Sequence, residues 1–308
     1  MARKTSRLDS ASALDAISRL MIQALQSMDA YVPEVMADTD REALHQYRVN
    51  LRKTRSLVKE FSRPLNQPGW RLHQAFFKRA GEITAEVRDL DVYLMKAEGW
   101  GQQLDETEQS ALLPFTSLLI ARRAEAYKHL MDYLNSGAYE QERAAWDQAL
   151  TAPSQEGTGD VKLRALVATR IRVRFAALIK AGRGLHFSSP DSDFHKLRLD
   201  FKRFRYLMED FVSVFGNKHY GGLLDAVKGM QTLLGDFQDI SVQKARLHEF
   251  SDELALDKSV RHDTFFLLGS LAERMSGDHD GLKRRFLKKF ARLEKAGKEQ
   301  VTKALVRG

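Results

Sequence analysis

HQYRVNLRKTRSLVKEF, residues 45–61, reads as one helix with two faces. His45, Arg48, Arg52, Arg55 and Lys59 recur at spacings of three and four and share one stripe. Leu44, Tyr47, Leu51, Val58 and Phe61 form an apolar stripe beside it. A basic ridge therefore borders the core-facing edge instead of lying opposite it. HKLRLDFKRFRYLMEDF, residues 195–211, repeats the arrangement with His195, Arg198, Lys202 and Arg205 on the ridge. Phe194, Leu197, Phe201, Phe204, Met208 and Phe211 make its apolar stripe. Lys53 and Arg203 are counted with the two ridges.

The two histidines stand 150 residues apart, and so do Asp89 and Asp239. The same offset pairs Arg48 with Arg198, Arg55 with Arg205, Phe61 with Phe211, Lys78 with Lys228, Val92 with Val242 and Lys96 with Arg246. A register held across a helix, a turn and the next helix predicts an internal duplication. It is legible from His45 to about residue 97, and it fails on either side.

Six prolines in 308 residues, with a 3.6-residue apolar period in most windows, predict an all-helical protein. Helices are expected over 10–31, ending near Pro33, then over 40–61, from Gly69 to 98, and over 105–134 with a kink at Pro114. A short amphipathic piece follows over 139–150. The one clear linker is TAPSQEGTGD, residues 151–160, which divides the chain into units 1–150 and 161–308. Beyond it helices are expected over 161–181, 191–215, 218–254, 258–275 and 282–305.

The absence of cysteine excludes disulfides and thiolate chemistry. A charged content of 29% with no long apolar run predicts a soluble, cytosolic chain without a signal peptide or membrane span. The net charge of +8 favours polyanionic partners: nucleic acid, an anionic membrane or polyphosphate.

A guanidinium is a planar fork of donors suited to phosphate oxygens, and lysine adds a mobile point charge. Each ridge repeats roughly every 5 Å along its axis, so it would hold a linear polyanion along its length. Two ridges facing each other would form a basic channel. Further cations at helical spacing are Arg170 and Arg174, Arg122 and Arg123, and Arg284, Arg285, Lys288 and Lys289, with Lys78 and Lys228 as secondary contacts. The alternative is a set of solvated outer faces. Against it, no acid stands between His45 and Lys59, and only Asp200 between His195 and Arg205, whereas solvated helix faces commonly mix signs.

His45 and His195 are expected either to bond a backbone carbonyl or carboxylate, with Asp89 and Asp239 as candidate partners, or to contact phosphate. A catalytic or metal role is the sharper alternative. Glu86, Asp89 and Asp91 would suit a metal, but the second copy has Ser241 in place of the second aspartate. Asp89 and Asp239 are therefore read as structural carboxylates that orient guanidinium groups. There is no phosphate-binding glycine loop, nucleophile elbow or zinc-protease helix. Aromatics are spaced as core stripes rather than base-stacking platforms.

HQYRVNLRKTR (45–55) and HKLRLDFKRFR (195–205), with EVRDLDVYL (86–94) and LGDFQDISV (234–242), resemble the duplicated motifs of the CHAD domain, the conserved histidine α-helical domain. The resemblance covers roughly residues 10 to 300 and weakens in the first helix, where Arg19 is the only basic residue between Arg7 and Arg41. It implies two four-helix bundles related by a pseudo-twofold axis, flanking a basic central channel. It also implies binding of inorganic polyphosphate and, in some members, association with polyphosphate granules and their proteins. The E-x-E-x-K signature of the triphosphate hydrolases often fused to such domains is absent. The expectation is a stand-alone, non-enzymatic polyphosphate binder with no cofactor and no metal. Nucleic-acid binding, a metal-dependent phosphoanhydride hydrolase and a scaffold for an acidic protein are the alternatives.

Overall fold

The computed structural model describes residues 12–152, 161–276 and 279–306. Most of the expected linker, 153–160, lies outside them. Among the described residues the chain is helical throughout, with one isolated bridge between Ser12 and Lys162 in place of any strand. The helices are α1 (Ala13–Ala37), α2 (Arg41–Phe61), α3 (Gln74–Gly101), α4 (Glu106–Leu134), α5 (Gly137–Thr151) and α6 (Leu163–Arg183). They continue as α7 (Asp191–Asp210), α8 (Val212–Phe215), α9 (Lys218–Leu254), α10 (His262–Ser276) and α11 (His279–Leu305). A 3-10 turn, Pro68–His73, leads into α3.

Side-chain caps open helices α1, α2, α4, α5 and α9. The Asp40 side chain accepts from Glu42 N to open α2. Asp105 and Glu108 form a reciprocal capping box at α4, which runs through Pro114. Two expected ends move. α1 does not stop at Pro33 but continues to Ala37 and closes on Asp38 in the left-handed region (φ 51°). Buried Val35 and the Tyr127 hydroxyl, which donates to Met36 O at 2.7 Å, hold that last turn. The helix expected over 191–215 breaks at Phe211 (φ −119°, ψ 20°). There the ring of Phe211 meets Phe61 edge-on at 5.6 Å, and the Tyr220 hydroxyl donates to Met208 O, which also accepts from Phe211 N at the helix end.

Burial repeats at the 150-residue offset. Leu44 and Phe194, Tyr47 and Leu197, Leu51 and Phe201, Val58 and Met208, and Phe61 and Phe211 are each at most 4% exposed. The offset also reaches back past His45, where no shared register is legible in the sequence. α1 and α6 begin 150 residues apart, and Ile17 and Val167, Met21 and Ile171, and Met28 and Leu178 are buried in pairs. Apolar positions keep the register there while the polar ones have diverged.

α1, α2, α3 and α4 pack in succession, and α6, α7, α9 and α11 close a second group. α10 does not continue into α11 as part of one bundle edge; it packs on α9 and crosses onto α4. The contact between α6 and α11 is close because each presents a glycine to a ring of the other. A Cβ at Gly182 would overlap Phe290, and one at Gly297 would overlap Phe175. The buried apolar side chains of both groups form one continuous core, and α2 and α7 meet within it.

Candidate functional site

α2 and α7 bring their ridges to one interface. Arg48 donates to Gly81 O (3.0 Å) and to the Thr84 hydroxyl (2.8 Å), both on α3. Burial, and then the neighbouring Arg52, Arg88 and Arg55, lower its pKa to about 10, with Asp89 opposing. Arg52 reaches across to lie 5.7 Å from the ring centroid of Tyr206 on α7, and Arg205 lies 5.4 Å from the same ring. The Arg52 Nε is buried without a partner, as is His195 Nδ1.

Lys202 has no carboxylate within 4 Å among the described residues. Its burial, and then Arg52, Arg198, Arg48 and Arg205 around it, lower its pKa from 10.5 to about 8. His45 is likewise held below the ordinary histidine range by burial first and by Arg88 next. Burial, Arg203 and Arg174 do the same to Lys59. A cluster of depressed cations is poised to gain charge stability when an anion arrives.

Toward its C-terminus the α2 ridge opens into a groove of about 980 Å³ between α2, the 3-10 turn, α3 and α6. Arg55, Lys59, Arg63, Arg71, Lys78, Arg170 and Arg174 line it, seven cations against the single acid Glu60. Glu60 is 3% exposed and accepts from Arg170 (2.8 Å) and Arg174 (2.5 Å). Arg63 and Arg71 were outside the sequence reading; Arg63 extends the ridge one turn past Lys59, and Arg71 enters from the 3-10 turn. Glu60 carried no signal in the sequence, because its partners come from a helix 110 residues away.

Other expected site residues are engaged elsewhere. Lys53 sits 3.6 Å from Asp210, whose carboxyl burial pushes up to about 6. Arg203 pairs with Asp200, Arg205 with Glu209, Lys228 with Glu209, and Lys78, at the groove rim, with Glu82. Arg122 pairs with Glu253 (2.9 Å). Arg123 is a structural tie: it bonds the fully buried Asp91 (2.7 Å) and grips Asp38 with both terminal nitrogens. Arg284, Arg285, Lys288 and Lys289 are exposed on α11 and line none of the groove, with Arg284 stacked 5.0 Å from the Phe187 ring.

Among the described residues no hydrogen bond joins His45 to Asp89 or His195 to Asp239. Asp89 instead opens onto a second cleft of about 550 Å³, with Glu82, Glu86, Glu249 and Glu253 against Arg122 and Arg246. Its surface there is exposed, yet the protein mass behind it raises its pKa despite Arg48 and Arg246 nearby. The two recesses therefore carry opposite charge. No helix among the described residues is long and apolar enough to cross a membrane.

The family model of the CHAD domain matches residues 19–248. No curated protein matches the chain. The crystal structure of the CHAD domain from the plant Ricinus communis is similar, with 22% identity and a TM-score of 0.67 over 91% of this chain and 93% of that one. PptA from Streptomyces chartreusis is similar at 15% identity and a TM-score of 0.70, over 91% of this chain and all of that one.

Proposed function

The chain belongs to the CHAD domain family, and from that premise we propose that it binds inorganic polyphosphate along the α2 and α7 ridges and the groove into which the α2 ridge opens, without cleaving it. The observation that carries this reading is the groove itself, walled by seven cations and one buried acid. A linear polyanion brings many oxygens to many donors at once. Each contact is a charge-assisted hydrogen bond, and binding displaces the counterions of the free polymer. The partly buried cations near the ridge junction, Lys202 above all, regain full charge as phosphate approaches. The cytoplasm, and granules of the polymer with their proteins, are the setting this reading assigns.

Nucleic acid suits the groove less well. Tyr206, the ring at the ridge junction, is flanked by Arg52 and Arg205 instead of being open to a base.

The test is binding to polyphosphates of graded length, with phosphate release followed in the same samples and DNA as competitor. Affinity should rise with chain length and fall steeply with salt, with no phosphate released. Orthophosphate or a nucleotide competing as well as a long chain, at equal phosphate concentration, would refute the reading. Release of phosphate with Mg²⁺ or Mn²⁺ present would replace it with a hydrolase.

A further inference from the structure

Glu60 is the one acid in the basic groove, and both of its oxygens are taken by arginines one helical turn apart on α6. Arg170 and Arg174 each spend one terminal nitrogen on it, keep a buried Nε with no partner, and remain partly exposed on the groove wall. Two guanidinium groups this close repel; a shared buried carboxylate fixes both and leaves the trio a net positive charge.

The counterpart of Glu60 at the 150-residue offset is Asp210, and the counterparts of Arg170 and Arg174 are Leu20 and Ala24, which donate nothing. Asp210 takes Lys53 from α2 on one oxygen, and its other oxygen is buried without a partner. One frame thus carries a built pair of forks at one end and a simple interhelix tie at the other.

We propose that Glu60 is a positioning residue for the polyanion: by holding Arg170 and Arg174 on the groove wall it makes the Glu60 end, and not the Asp210 end, the tight seat for polyphosphate. This rests on the polyphosphate reading above. The forks present paired donors to phosphate oxygens without the mobility of free arginines, so ordering on binding is reduced.

The experiment compares Glu60→Gln with Asp210→Asn, measuring affinity for a long-chain polyphosphate, per folded protein, across a salt series. Glu60→Gln removes the groove's one negative charge, so simple electrostatics predicts tighter binding. Positioning predicts the reverse: about tenfold weaker binding and a log–log salt slope shallower by about 1.4, two contacts at ~0.7 each. Asp210→Asn should change affinity less than twofold. Glu60→Asp, which keeps the charge on a shorter arm, should recover part of the slope, and it carries the test if Glu60→Gln does not fold. Tighter binding by Glu60→Gln, or equal effects of the two substitutions, would overturn the positioning role while leaving polyphosphate binding intact. No binding by the unaltered protein would overturn both.

Discussion

The two groups of helices carry one motif and are held together by different means. In the first, an ionic knot built on one buried carboxylate joins three elements: Asp91 on α3 with no exposed surface, Arg123 on α4, and the exposed Asp38 at the end of α1. In the second, α6 and α11 lock by rings set against glycines, Phe290 on Gly182 and Phe175 on Gly297. Their ridges differ too. Arg48 is anchored on Gly81 O and Thr84 of α3. Arg198 has Gln231 and Leu234 at the matching positions, and it makes no hydrogen bond or ion pair among the described residues. A repeated motif therefore does not make a repeated site, because the acceptors and counter-charges come from neighbouring helices whose polar positions have diverged.

The largest effect expected of a single change lies in the ionic knot. Arg123→Ala removes the closest partner of buried Asp91, leaving it only Arg41 at 3.7 Å, and should cost about 3 kcal/mol in denaturant unfolding. Polyphosphate affinity per folded protein should stay unchanged; a shallower salt slope would return Arg123 to the binding surface. In the second group, Gly297→Ala forces a methyl into the Phe175 ring and should cost about 1–3 kcal/mol. A neutral result would mean that α6 and α11 are free to part.

The ridge junction gives a pH signature. With its pKa lowered to about 8, Lys202 is partly neutral in the free protein at pH 8 and regains its proton when phosphate binds. Binding should therefore take up a proton and weaken between pH 7 and 9, and Lys202→Arg should flatten that slope. In the ligand-free protein the sign is opposite. Between about pH 8 and 10.5 the unfolded chain holds the proton and the folded chain does not, so stability should rise with pH over that window. The smallest effect is expected at the anchor of Arg48. Thr84→Val removes one of two acceptors and should cost about 1 kcal/mol by thermal or denaturant unfolding.

Much of this was legible in the sequence for local reasons. The apolar stripes of 44–61 and 194–211 specify both helices and their buried faces, and Asp40 and Asp105 mark helix starts by capping chemistry. The misplaced boundaries, Pro33 and Phe211, were decided by partners far along the chain: Tyr127 in one case, Phe61 and Tyr220 in the other. The same limit applies to the site. The basic ridges are periodic and visible, but nothing local tells that Arg123 is committed to Asp91, or that Asp89 turns to an acidic cleft and not to His45. Nor could the spacing reveal that Glu60, the first acid after an acid-free ridge, organises Arg170 and Arg174.

The most direct measurement is the salt dependence of polyphosphate affinity in the unaltered protein and in the Arg48→Ala, Arg198→Ala double variant. If the polymer lies along both ridges, the double variant should bind more weakly, with a log–log slope shallower by about 1.4. An unchanged slope would place the polymer on another surface and contradict the account.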